Sequence, residues 1–169
     1  ELENLSFPYC VSINSLFINE ESTGNTYNTA DITVTLAHEL GHYLGLHHVF
    51  SETENENSCK DTDYCADTPT YNKKAYDMDC AYIEVNDPDN FTFANLVNRE
   101  NCLTGESFVS YNIMDYAISY SDRFTPEQRA RIRHVLLYSP LIPGPKAGQE
   151  AGTRSAPSGL MELPIRTAK

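Results

Sequence analysis

The sequence predicts an α+β fold on three observations. Residues Tyr9–Ile18 (Y-C-V-S-I-N-S-L-F-I) mix β-branched, aromatic and small polar side chains, with Val11, Ile13 and Phe17 on one phase, as a strand does. Residues 38–48 read H-E-L-G-H-Y-L-G-L-H-H, which sets two histidines one helical turn apart. Thr125-Pro-Glu-Gln128 forms a capping box with proline at the first helical position, opening a second helix to about Tyr138.

The elements follow in order. Residues 19–29, rich in Asn, Glu, Ser, Gly and Thr, read as loop. Asn28 or Thr29 could then cap a helix from about Ala30 to Leu44, with Asp31 favouring the positive end of its dipole. Ile32, Leu36, Leu40, Tyr43 and Leu44 are expected to be packed around that helix. The β-branched run Ile32–Thr35 lowers helix propensity, so the histidine spacing carries the assignment. Residues 51–112 are rich in Asn, Asp, Thr and Tyr and are expected to hold only short strands or turns. So long an irregular stretch needs staples, either disulfides or metal ions. The final helix should turn Ala130, Ile132, Val135 and Leu136 inward. One domain over residues 1–138 is expected, with the Pro-, Gly- and Ser-rich residues 139–169 as tail or linker.

The chemistry sits in residues 38–48. His38 and His42, four apart on a helix, present two imidazoles to one metal ion. Zinc is the expected ion, since it takes imidazole and leaves a fourth position for water. Glu39, on the flank of that face, can reach the zinc-bound water without occupying the metal, as a general base and then as proton carrier to a leaving amine. His48 would point about 240° away from the ligand face on a continuing helix. The chain must therefore leave the helix between His42 and His48, and Gly45 is placed to take the positive φ this needs. His47 and His134 read as packing or solvent-facing residues.

The net charge of −12 argues against nucleic acid or an anionic membrane as partner. No stretch approaches the roughly 18 apolar residues of a membrane span. Glu1-Leu-Glu-Asn-Leu5 lacks the basic start and apolar run of a signal peptide. Five cysteines (Cys10, Cys59, Cys65, Cys80, Cys102) with no C-x-x-C pair suit disulfides. That implies an oxidising setting: extracellular, cell-surface or periplasmic.

H-E-x-x-H-x-x-G-x-x-H at 38–48, Y-N-I-M-D-Y at 111–116 and D-T-D-Y-C-A-D-T-P at 61–69 together resemble the metzincin zinc metallopeptidases, in their pappalysin branch of pappalysin- and ulilysin-like enzymes. The resemblance covers about residues 9–138. It implies a metzincin-like zincin with Tyr9–Ile18 as the cleft-edge strand a peptide substrate pairs with. It also implies a methionine turn with Met114 as the floor under the imidazoles, and Tyr116 beside the metal as donor to the oxyanion. It implies that Asp61, Asp63 and Asp67 hold calcium in a disulfide-linked region, the alternative being a solvated acidic loop. It implies Cys59–Cys102 as the first disulfide, with Cys65–Cys80 as the remaining pair and Cys10 left over. Only 37 residues precede His38, fewer than the N-terminal subdomain of that group. The chain is therefore expected to be the C-terminal part of a catalytic domain, its missing N-terminal segment or pro-segment lying elsewhere. After Tyr116 the family tends to have an acidic residue and a cysteine, where this chain has Ala117-Ile-Ser-Tyr-Ser121; Ser119 stands near the place of the acidic residue. A preference for basic side chains after the scissile bond is therefore not carried over. The expected function is a secreted zinc endopeptidase acting on protein or peptide; the alternative is a metal-stabilised extracellular binding or adhesion module without turnover.

Overall fold

The computed structural model describes residues 10–12, 32–53, 55, 57–116, 118–142 and 144–148. Among them the order is α1 (Ile32–Tyr43), α2 (Lys73–Asn86), α3 (Phe93–Leu96), β1 (Asn98–Glu100), β2 (Ser107–Val109) and α4 (Pro126–Tyr138), with a single 3-10 turn at Pro88–Asn90. Most of the expected edge strand Tyr9–Ile18, and the expected caps Asn28 and Thr29, lie outside the described residues.

Helix α1 ends as the histidine spacing requires. Gly45 takes φ +86°, its N–H donates to the His42 carbonyl at 2.9 Å, and the Leu46 N–H donates to the Gly41 carbonyl at 2.9 Å. This pair of bonds is the Schellman closure, which satisfies the last helical carbonyls while turning the chain back. A Cβ on Gly45 would stand 2.8 Å from Val135 Cγ2, so the turn is also seated directly against α4.

Helix α2 corrects the expectation of only short strands or turns in 51–112. Its start is fixed by Asn72, whose side-chain oxygen accepts from the Ala75 N–H at 2.8 Å. The Asn72 amide donates in turn to the carbonyls of Asn55 and Ser58, tying the cap to the preceding loop. Lys73 and Asp77 add an i,i+4 ion pair of 2.6 Å. No residue of α2 is fully buried, so its apolar positions left little pattern to read.

The hairpin pairs Asn98 with Val109, Arg99 with Phe108 and Glu100 with Ser107, antiparallel. From β2 the chain runs through a tight turn at 112–115 and on to α4. The capping box of α4 is formed in both directions between Thr125 and Gln128. Its first turn is also docked on the 61–68 loop: the Glu127 N–H donates to Asp67 at 2.9 Å, and Glu127 accepts from the Ala66 N–H at 2.6 Å.

Nine apolar side chains are buried among the described residues, and Leu46, Val49 and Met114 form one cluster of them, with Phe124 and Ile132 packed against it. It therefore joins the end of α1, the segment after His48, the turn at 112–115 and α4. Of the residues expected to face inward from α4, Ile132 and Val135 do so, while Ala130 and Leu136 are exposed. Leu36 and Leu40 of α1 are exposed as well among the described residues. The start of the expected tail folds back: Ile142 is buried and the Ala147 N–H donates to the Leu137 carbonyl at 2.9 Å.

Cys59 and Cys102 are joined by a disulfide, the pair the resemblance implied. The second expected pair is corrected: Cys65 and Cys80 are both free thiols. Cys65 is buried in the turn that Asp63 closes, whereas Cys80 rides on α2, a helix where irregular chain had been expected. Cys10 is a free, exposed thiol. No helix among the described residues is long and apolar enough to cross a membrane.

Candidate metal centre and active site

Three histidines converge. The Nε2 atoms of His38, His42 and His48 lie 3.0, 3.1 and 3.2 Å from one another. Each ring is oriented from its other nitrogen. His38 Nδ1 donates to the Ile113 carbonyl at 2.7 Å, and His42 Nδ1 donates to the Leu46 carbonyl at 2.9 Å. His48 Nδ1 donates to the Glu52 carboxylate. Proton positions assigned from these acceptors put hydrogen on all three Nδ1 atoms and leave three Nε2 lone pairs facing one another. Three acceptors so close repel unless a cation lies among them. Tetrahedral zinc with Zn–N of about 2.0–2.1 Å sets nitrogens roughly 3.3–3.4 Å apart, near the spacing found. The donor set therefore fits a zinc ion, and the carbonyl and carboxylate partners are the outer shell that holds such ligands in orientation. Burial, opposed by the Ile113 carbonyl and joined by the neighbouring imidazoles, pushes the His38 imidazole down, which favours the neutral ligand form.

The framework around the trio comes from several elements. His38 and His42 are on α1; the glycine turn delivers the Leu46 carbonyl and redirects the chain to His48. Ile113 belongs to the turn at 112–115. Met114 in that turn is fully buried, its Sδ 2.4 Å from where a Cβ on Gly41 would stand. The turn is held by Asn112, whose side-chain oxygen accepts the Met114 N–H at 2.9 Å. Asn112 and the buried Gln128 of α4 clasp one another by paired amide bonds of 2.9 and 3.2 Å.

Beside the trio lies a cavity of about 270 Å³ lined by Val34, Thr35, His38, Glu39, Asp115 and Tyr116, among others. It brings Glu39 and Tyr116 to one space next to the first histidine. Tyr116 is 67% exposed, its ring 5.4 Å from that of His48 and 6.1 Å from that of His38. His47 packs its ring against Tyr64 and is not one of the converging three.

The aspartates of the 61–67 loop serve the loop itself. Asp61 accepts the Asp63 N–H at 3.2 Å, and Asp63 accepts the Cys65 N–H at 2.9 Å with the Thr68 hydroxyl 2.6 Å from its other oxygen. Asp67 caps α4. Burial pushes the Asp63 carboxyl up to about 6, partly offset by Thr68 and the Cys65 N–H, with Asp61 adding to the rise. Burial beside Asp63 also pushes the Cys65 thiol up to about 11. Among the described residues, the group of three or more whose ligand atoms converge is His38, His42 and His48, so the expected calcium set of Asp61, Asp63 and Asp67 is not assembled.

Sequence reasoning missed the support of the site. Asp115 is buried and accepts from the Tyr71 hydroxyl at 2.6 Å and from the Ser110 hydroxyl. It pairs with Arg99 at 3.4 Å, both side chains wholly buried. The Arg99 guanidinium stacks over Tyr76 at 4.1 Å and Tyr71 at 4.9 Å. Arg99 is the one cation in residues 75–122, a signal that it is matched to a buried carboxylate. Glu52, four residues past His48, offered only a weak signal.

Residues 11–137 match the family Peptidase M43, described as Pregnancy-associated plasma protein-A. Proteins named extracellular metalloprotease from Arthroderma benhamiae and Trichophyton verrucosum are each 36% identical over 99 residues, which is 58% of this chain and 29% of theirs. One from Arthroderma otae is 35% identical over the same share of each. The chain thus spans less than a third of the length of the curated relatives it matches. No solved structure matches. The family match runs over most of the chain and takes in the histidine trio and the turn at 112–115, so this protein belongs to Peptidase M43, the pappalysin family of metallopeptidases.

Proposed function

We propose that the chain carries the catalytic centre of a secreted zinc endopeptidase. The observation that carries the reading is the convergence of three oriented imidazoles, the first of which, His38, lines a cavity that Glu39 and Tyr116 also border. His38, His42 and His48 would hold zinc, which when bound lowers the pKa of a water and polarises a carbonyl. Glu39 takes a proton from the attacking water and passes it to the leaving amine. Tyr116 donates from its phenol to the carbonyl oxygen as charge grows there. Met114, packed against α1 at Gly41, is the apolar floor that keeps the helix and the 112–115 turn in register. Calcium has no part in the proposal, because Asp61, Asp63 and Asp67 do not form a converging group among the described residues. Secretion is supported by the names of the relatives and by the disulfide.

The test is cleavage of an unfolded protein substrate by the parent and by Glu39→Gln, each with its zinc content measured. The parent should carry zinc near one per chain and lose activity with a chelator. Glu39→Gln should keep the zinc and lose activity by about 10² to 10⁴. A Glu39→Gln protein that cleaves at the parent rate would overturn the mechanism, and a parent that binds no zinc would overturn the whole reading.

A further inference from the structure

We propose that Lys73 is a positioning residue, whose ammonium group holds the Tyr116 ring where its phenol can meet the carbonyl oxygen of a bound peptide. The inference rests on the role given to Tyr116 above. A ring that is two-thirds exposed needs neighbours to hold it if its hydroxyl is to act at one point. The rings of His48 and Phe50 lie 5.4 and 6.5 Å away, edge to face. The His38 ring lies 6.1 Å away, tilted. The charged neighbour is Lys73, with Nζ 5.9 Å from the Tyr116 centroid and also 5.9 Å from that of Phe50.

Of the two rings, Phe50 is the fixed one. It is buried and stacks on the His48 ring at 4.7 Å and 14°. Lys73 therefore bridges a rigid ring and an exposed one, and the attraction of a cation for both π-faces draws the exposed ring toward the rigid one. Lys73 is itself held. Its Nζ bonds both Asp77 oxygens, at 2.6 and 2.8 Å, and its side chain is only 24% exposed. Its backbone is the first residue of a helix capped by Asn72. Lys73 adds nothing to the buried core, so its loss should move the ring rather than the fold.

The test is steady-state cleavage by the zinc-loaded protein, with zinc content checked for each variant. Lys73→Met should lower kcat about 2- to 5-fold, the rate equivalent of one exposed cation–π contact, with KM unchanged. Lys73→Arg should restore most of the loss, and Lys74→Met, on an exposed neighbour, should change neither constant. In a Tyr116→Phe background, which keeps the ring but not the phenol, Lys73→Met should have no further effect. An equal loss in both backgrounds, or a loss confined to KM, overturns the inference. If Tyr116→Phe alone leaves kcat intact, the oxyanion role fails; if it lowers kcat but Lys73→Met does nothing, only the present inference fails. Should turnover be too slow to measure, the NMR signals of a labelled Tyr116 ring decide: they should shift in Lys73→Met and not in Lys74→Met, and their failure to shift overturns the inference.

Discussion

Gly41 illustrates how tightly the metal centre is packed from below. It sits on α1 just before His42, and a Cβ there would meet Met114 Sδ at 2.4 Å and Cε at 3.3 Å. Two effects oppose each other in Gly41→Ala. Alanine gains about 1 kcal/mol of helix propensity over glycine. Overpacking a fully buried side chain costs about 1–3 kcal/mol, and Met114 has no room to retreat. The overpacking should win, giving a lower urea midpoint, and the cost should shrink when Met114 is also shortened to alanine. Additive effects would mean that the two residues do not contact in solution. The metal ligands were legible in the sequence because their geometry is local: a helical turn, then a glycine turn, within eleven residues. The groups that aim the ligands were not. Ile113 and Leu46 act through backbone carbonyls, which carry no sequence signature. Asp115 meets Arg99 sixteen residues away and Tyr71 forty-four residues away, and nothing in a linear pattern joins them.

At the scale of elements, α4 could be read from its cap and α1 from its ligands, while α2 could not. Its helical state depends on Asn72, which looked like one more loop asparagine until its amide was seen to bind Asn55 and Ser58. The 61–68 loop is a similar case. Its aspartates looked like calcium ligands, yet they fold the loop and cap α4. Asp63 makes this testable. Its carboxyl is raised to about 6 in the folded protein, against an ordinary value near 3.8. A carboxyl raised on folding stabilises the fold below its unfolded pKa, and this contribution is lost as pH rises through the folded value. Stability should thus fall by on the order of 2 kcal/mol between about pH 4 and 6 from this group alone. Asparagine can keep the bond from Cys65 and donate to Thr68 without a buried charge. Asp63→Asn should therefore remove that part of the slope. To isolate this one group, the quantity to measure is the difference in urea midpoint between variant and parent at pH 4, 5 and 6. A difference that does not grow with pH would show that Asp63 titrates normally.

For the molecule as a whole, the buried apolar side chains among the described residues number nine, so attachments at single points also matter to cohesion. Leu46, Val49 and Met114 form one cluster of them, and α2 contributes no fully buried residue. What joins the parts are point attachments: the histidine trio links α1 to the chain after Gly45, the Ile113 carbonyl links α1 to the 112–115 turn, and the disulfide closes the loop between Cys59 and Cys102. The buried Arg99–Asp115 pair ties the hairpin to the same turn. A metal ion held by the first of these attachments, and oriented through the second, should then act on global stability and not merely on turnover. A ligand present at 100 to 1,000 times its dissociation constant adds about 3–4 kcal/mol to the folded state. Removing it also leaves three inward-facing lone pairs without the cation that reconciles them. Chelation should lower the melting temperature of the parent by several degrees, and zinc in slight excess should restore it. Glu39→Gln is the informative comparison, because it leaves the ligands intact: its melting temperature should respond to zinc as the parent's does while its activity does not return. A chelated protein that melts at the same temperature as the zinc-loaded one would place the cohesion of this domain elsewhere and reduce the trio to a purely chemical device.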